Sequence, residues 1–241
     1  MILYPAIDIR EGRTVRLLRG DYAQETEYDS DPLESAHRWA DQGARFLHVV
    51  DLDGAREGRP VNLEHARRIV AAVDVPVQLG GGLRDAGSVG AALATGARRV
   101  VLGTAAHSDH DLVGELVEAH GERIVVSVDA RGGRVALSGW TQRTDTAAGE
   151  LLAALAGRGV RRFVYTPVDV DGTLEGPALD ELRGAAATAT AAELIYSGGI
   201  GSLDDLRALA GSGVPNLAGV IVGRALYEGR FDVAEGQRVL G

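Results

Sequence analysis

An α/β fold of the (β/α)8 TIM-barrel class, assembled from two duplicated half-barrels, is what this sequence predicts, on three observations. Eight short runs of strand-forming residues alternate with segments of helical periodicity, which implies a parallel sheet whose natural closure is the barrel. The chain also repeats itself. Ile7-Asp8-Ile9-Arg10-Glu11-Gly12-Arg13 is matched by Val128-Asp129-Ala130-Arg131-Gly132-Gly133-Arg134 at a separation of 121 residues, and three more pairs follow in the same order at separations of 117 to 120. These are Val50–Ala55 with Val168–Thr173, Gly81–Leu83 with Gly198–Ile200, and Val100–Gly103 with Val220–Gly223. So long a period excludes a solenoid, whose repeats run about 20 to 50 residues. Finally, the runs end on acids or glycine turns, and the carboxyl ends of its strands are where a barrel keeps its chemistry.

In chain order, strands are expected at Ile2–Ile7, Phe46–Val50, Pro76–Leu79, Arg99–Leu102, Ile124–Val128, Arg162–Thr166, Glu193–Tyr196 and Gly219–Val222. The helices between them carry recognisable signals. In the first, Asp31 is the N-cap, Pro32 opens the first turn, Leu33, Ala36, Trp39 and Ala40 share a face, and Gly43 is the stop. The longest connection, Ile9 to Ser30, shows no clear periodicity, so Gly20-Asp21-Tyr22 is expected to act as an irregular lid. No linker interrupts the 241 residues. A single barrel domain spanning 1–241 is therefore expected, with halves of approximately 1–120 and 121–241; an open doubly wound sheet is the alternative.

Composition narrows the function. The 33 glycines are about twice the usual share of roughly 7%, yet they fall singly or in pairs after apolar runs, where backbone turns or approaches a ligand. With no cysteine, a disulfide framework, a thiolate metal site and a cysteine nucleophile are excluded. A net charge of −9 disfavours nucleic-acid and membrane partners. There is no basic-then-apolar leader and no apolar run of membrane length. A soluble, cytoplasmic, monomeric protein acting on a small molecule is expected.

The strand ends separate into glycine turns and acids. Ser197-Gly198-Gly199 and Gly223-Arg224 follow the seventh and eighth strands, the usual phosphate position of a barrel, where backbone amides can point at an anion. The repeat supplies a second set at Gly81-Gly82 and Gly103-Thr104, so two phosphate sites related by a pseudo-twofold axis are expected. Asp8, Asp129 and Asp171 end strands on both halves, and carboxylates facing each other across a partly dry mouth can be pushed to different pKa values, one taking a proton and another giving one. Pairing with Arg10, Arg16 or Arg131, or helix capping, is the alternative use of such acids and suits Asp51, Asp53 and Asp169 best. No histidine pair has metal-site spacing. His48, inside the second strand, reads as a hydrogen-bonded core residue, and Trp140 as a ring that could stack on a planar ligand.

The phrases Pro5-Ala6-Ile7-Asp8, Val15-Arg16-Leu17, Val50-Asp51-Leu52-Asp53-Gly54-Ala55, Gly80-Gly81-Gly82-Leu83-Arg84, Ser127 through Gly133, Gly139-Trp140, Asp171-Gly172-Thr173 and Val222-Gly223-Arg224-Ala225 resemble the phosphoribosylformimino-aminoimidazole-carboxamide-ribotide (ProFAR) isomerase family of histidine biosynthesis, over essentially the whole chain. The resemblance implies a cofactor-independent Amadori rearrangement of a bisphosphorylated substrate: an aminoaldose ring opens and a proton moves from C2 to C1. It implies Asp8 as general base, Asp129 as the conventional general acid with Asp171 competing for that role, and Thr166 as a hydroxyl that orients the substrate. Pro167 stands where the family usually has an acidic residue. The related cyclase usually carries Cys-Leu-Asp on its first strand, and a dedicated phosphoribosylanthranilate isomerase is expected to use a cysteine base; this chain has neither. The bifunctional relatives are expected to carry an arginine two residues before the loop tryptophan, where this chain has Ser138, with Arg143 beyond it. Little or no phosphoribosylanthranilate activity is therefore expected.

Overall fold

The computed structural model describes residues 1–241 with the exception of Ser138. Its strands, in chain order, are β1 (Ile2–Arg10), β2 (Arg13–Leu18), β3 (Asp21–Asp29), β4 (Leu47–Asp51), β5 (Val77–Gly80), β6 (Arg99–Leu102), β7 (Ile124–Arg131), β8 (Arg134–Leu137), β9 (Gln142–Ala147), β10 (Arg162–Pro167), β11 (Glu193–Ser197) and β12 (Leu217–Val222). Eight of these pair in parallel in the ring order β1, β4, β5, β6, β7, β10, β11, β12, and the pairing of β12 with β1 closes the barrel. Helices lie between successive barrel strands.

Side-chain alternation along each strand builds two cores. Tyr4, Ala6, Phe46, Val101, Val125, Val164, Ile195 and Ile221 fill the barrel interior. Leu3, Ile7, Leu47, Leu79, Val100, Val126, Phe163, Leu194 and Val220 alternate with them and pack outward, together with helix residues such as Trp39, Ile69 and Leu206. Both faces are buried, so the strands read as continuous apolar runs rather than alternating ones. Burial of each such large side chain stabilises by about 1.5–3 kcal/mol, which makes the barrel a stiff base for the loops above it. The first helix starts as its sequence indicates: the Asp31 side chain accepts from the Leu33 amide, and the helix runs Pro32–Asp41 before Gly43 turns with φ +84°.

The connection from Ile9 to Ser30 is not irregular. β1 continues through Asp8 to Arg10, and β2 and β3 form an antiparallel ribbon on it, with Asp8 opposite Val15 and Arg10 opposite Arg13. The turn residues Glu11 (φ +49°) and Gly12 (φ +74°) both have positive φ, the signature of a type I′ hairpin turn. The second half does the same: Arg131 lies opposite Arg134 across Gly132 (φ +55°) and Gly133 (φ +76°). Two register shifts between β2 and β3 break the two-residue alternation that would otherwise mark the strands.

The duplication is visible in the backbone. Gly81 and Gly82 have φ of +108° and +73°, and Gly198 and Gly199 have +104° and +78°. Gly103 (φ −109°, ψ −103°) matches Gly223 (φ −110°, ψ −96°). The capping boxes correspond with their letters exchanged: Asp85 caps with Ser88 at the third helical position, and Ser202 caps with Asp205. Since the side chains of Asp85 and Ser202 already take the third-position amides of these two helices, only part of each helix end is left for a ligand.

Candidate active site at the carboxyl mouth of the barrel

The carboxyl ends of the barrel strands surround a cavity of about 210 Å³, and Asp8, Asp129 and Asp171 line it. β1 and β7 stand four places apart in the eight-membered ring, which puts Asp8 and Asp129 on opposite walls. Asp171 follows β10 after a short 3₁₀ turn.

The three carboxylates have different surroundings. Arg16 Nη1 donates to Asp8 Oδ2 at 2.8 Å, both side chains being nearly buried. Burial pushes the Asp8 carboxyl above the usual range, and Arg16 opposes part of the rise. Asp129 accepts from Ser127 Oγ at 3.0 Å and from the Trp140 indole Nε1 at 2.9 Å. Burial raises it as well, against hydrogen bonds from Trp140, Thr166 and Ser127 that favour the anion. Among the described residues no donor reaches the Asp171 carboxyl. Burial lifts it to about 6, Arg16 lowers it in part, and the charges of Asp8 and Asp129 raise it further.

The glycine clusters flank these acids. Gly81, Gly82, Arg84, Gly103 and Thr104 line the main cavity. On the opposite side Ser197, Gly198, Gly199, Gly223 and Arg224 line an adjoining cavity of about 20 Å³, which Arg16 and Asp171 share. Sequence assigns the glycine pairs to anion approach, and the structure adds a second reason for them. A Cβ on Gly81 would lie 2.1 Å from the Asp51 carbonyl oxygen, and one on Gly199 would lie 2.1 Å from that of Gly176. Substitution there moves neighbouring loop backbone as well as any ligand.

The hairpins reach over the mouth. The Arg19 amide donates to the Asp171 carbonyl at 3.1 Å, and Tyr22 Oη donates to the Leu52 carbonyl at 3.2 Å. Gly20 packs on the Trp140 indole so closely that a Cβ there would lie 2.3 Å from a ring carbon. Trp140 itself has φ +70°, a costly backbone state for a large residue that persists only when its surroundings hold it.

This geometry sits on a chain whose residues 2–232 match the profile of a family described as histidine biosynthesis protein. The chain belongs to the histidine biosynthesis protein family. It is 50% identical over 238 residues, 98% of this chain and 96% of the relative, to the 1-(5-phosphoribosyl)-5-((5-phosphoribosylamino)methylideneamino)imidazole-4-carboxamide isomerase of Chloroflexus aggregans. The enzyme of the same name from Rhodospirillum rubrum is 48% identical over 240 residues, covering 100% of this chain and 99% of the relative. That from Moorella thermoacetica is 47% identical over 235 residues, covering 98% and 96%.

Within this histidine biosynthesis protein fold, all the site residues singled out from sequence lie on one or both cavities. The acids assigned to structural work do that work. Asp51 accepts from the Gly54, Val61 and Asn62 amides, Asp53 from the Glu11 amide and Asn62 Nδ2, and Asp169 pairs with Arg131 at 3.6 Å. His48 is buried and accepts Gln78 Nε2 on Nδ1 at 2.8 Å, but it also lines the main cavity, which sequence reasoning missed. Burial, with Arg16 adding to it, drives His48 down to about 3, so it stays neutral. Ser127 was missed too, whereas Gly20 and Tyr22 of the expected lid do line the cavity. Ser127 stands two residues before Asp129 and so on its face of the strand, a signal that was available. Ser138 lies outside the described residues. Arg143 is exposed on β9 opposite Ala136 and is not part of the cavity lining.

Proposed function

We propose that this protein is an aldose–ketose isomerase that converts ProFAR to its ribulosyl isomer by acid–base catalysis without a cofactor. The observation that carries the reading is the convergence of Asp8, Asp129 and Asp171, from separate strands, on one cavity flanked by two glycine clusters. Relatives about half identical over nearly their whole length bear the name of an isomerase of a bis-phosphoribosyl compound. One phosphate would sit against Gly81, Gly82, Gly103 and Thr104, and the other against Ser197–Gly199 and Gly223.

The chemistry needs one donor and one acceptor. As the C1–O bond of the aminoaldose ring breaks, an acid gives the ring oxygen a proton and an imine forms between C1 and nitrogen. Asp8 then takes the C2 proton, and the resulting enolamine becomes the ketone as its C2 hydroxyl gives up a proton and C1 gains one. A group of pKa near the operating pH serves best as such an acid. Asp171, lifted to about 6 chiefly by burial and without a donor on its carboxyl among the described residues, keeps a protonated fraction near neutrality; burial raises Asp129 too, but its carboxyl is already engaged by Ser127 Oγ and the Trp140 indole. We assign the acid to Asp171 and an orienting role to Asp129 with Trp140 and Thr166.

Incubating the purified protein with ProFAR, and separately with phosphoribosylanthranilate, tests this. Turnover of ProFAR with at least a hundredfold lower kcat/KM for phosphoribosylanthranilate is expected. Retained bisphosphate binding with no turnover would instead mark a non-catalytic barrel.

A further inference from the structure

We propose that Arg16 couples anion binding to the readiness of the base: an anion entering the cradle of Ser197–Gly199 and Gly223 draws the guanidinium away from Asp8, which frees the carboxylate to take a proton only once that end of a substrate is seated. The proposal deepens the isomerase reading and rests on it for its catalytic consequence, though not for its measurement.

The two matching cradles differ at one point. Gly103 and Gly223 share their backbone angles to within about ten degrees, yet a Cβ on Gly103 would meet nothing within 4 Å, while one on Gly223 would lie 2.4 Å from Arg16 Cζ and 2.6 Å from Nε and Nη2. The Arg16 guanidinium therefore lies against the backbone of the second cradle. What remains there is about 20 Å³, when a single water already needs about 10–15 Å³. An anion seated against Gly223 would therefore share the cleft with the Arg16 guanidinium.

Arg16 is equipped to move. Its Nη1 holds Asp8 at 2.8 Å, and its Nε is buried without a hydrogen-bond partner among the described residues. A phosphate dianion offers several acceptor oxygens, and a planar guanidinium engages such an acceptor through two parallel N–H groups. Turning toward it would give Nε the partner it lacks and lengthen the contact to Asp8. Besides Asp8, the groups facing Arg16 are Asp171, Tyr227 and Tyr28. Burial raises both tyrosines, Tyr227 most strongly, and His48 stays neutral, so Asp171 is the only other group in this set that titrates near neutrality. Lengthening the Arg16–Asp8 contact raises the proton affinity of Asp8. The base becomes stronger as the anion is seated.

The test is a carbon-13 carboxyl titration of Asp8, its resonance assigned with Asp8→Asn, in the absence and presence of saturating inorganic phosphate, with occupancy of the cradle followed by the amide shifts of Gly199 and Gly223. In the wild-type protein phosphate should raise the Asp8 midpoint by about half a pH unit or more. In Arg16→Gln the midpoint without phosphate should already lie at or above the wild-type loaded value, and phosphate should move it less than half as far. Gly223→Ala, whose methyl takes the place of the guanidinium, should raise the midpoint without phosphate and covers the case in which Arg16→Gln fails to fold. Equal phosphate effects in wild type and Arg16→Gln, or cradle occupancy with the Asp8 midpoint unmoved, would overturn the coupling. Since the titration involves no turnover, inactivity toward ProFAR would remove the isomerase reading and leave this result separately legible.

Discussion

The two halves of the barrel mouth share a backbone and differ in what their hairpins deliver. After Asp8 the chain turns through Glu11-Gly12 and returns along β2 to place Arg16 on the carboxylate; after Asp129 it turns through Gly132-Gly133 and returns to place Trp140 there. One acid faces a cation that also borders the glycine cluster at Gly223. The other faces a neutral indole and two hydroxyls. The difference teaches that duplication preserved positions while the hairpins, attached to the same strand ends, set what each carboxylate can do.

Removing the first half's acid should have the largest effect. Asp8→Asn keeps the shape but cannot take a proton, and kcat should fall by about 10²–10⁴ with the fold and KM nearly unchanged; near-native turnover would leave the base unassigned. Asp171→Asn should stabilise the protein while impairing it. A carboxyl whose folded pKa is raised contributes stability below its unfolded value of about 3.9 and loses it as pH rises through the folded value, here about 6. The shift of about two units corresponds to at most about 3 kcal/mol at pH 8, or up to about 6–12 °C in Tm for a chain of this size. Calorimetry at pH 8 and pH 4.5 should show the gain at the higher pH and little at the lower.

Smaller effects probe the hairpins. Trp140→Phe deletes the indole donor to Asp129 and leaves a ring in place, so kcat/KM should fall about tenfold, the value of roughly one charge-assisted hydrogen bond, and an unchanged value would mean that the indole serves only packing. Glu11 is the non-glycine member of the two matched type I′ turns. Replacing it by Asn, which that turn prefers, should raise stability by about 0.5 kcal/mol, since its exposed ion pair to Arg13 is worth little. A loss of stability measured by urea unfolding would show that the pair matters more than the turn.

Much of this was legible in the residues. The eight barrel strands stood out as apolar β-branched runs, and their ends pointed to Asp8, Asp129 and the glycine clusters. The repeat Arg10-Glu11-Gly12-Arg13 with Arg131-Gly132-Gly133-Arg134 was legible as a repeat but not as a hairpin, because β3 is exposed along most of its length and bulged against β2. His48 was hidden for a different reason. Leu47, His48 and Val49 are all buried, so the pattern alone does not say which of them faces the barrel axis. Arg16 was named as one arginine with which the acids could pair, and its bond to Asp8 depends on the β1–β2 register, which only the folded chain fixes.

The division of labour between the two late acids is tested most directly by the kcat of Asp171→Asn and Asp129→Asn on ProFAR, measured side by side at saturating substrate. Loss of an acid catalyst should cost Asp171→Asn about 10²–10⁴, while Asp129→Asn, which loses an orienting anion, should fall by no more than about tenfold to a hundredfold. The reverse order would return the acid to Asp129 and contradict the assignment drawn from the elevated carboxyl of Asp171.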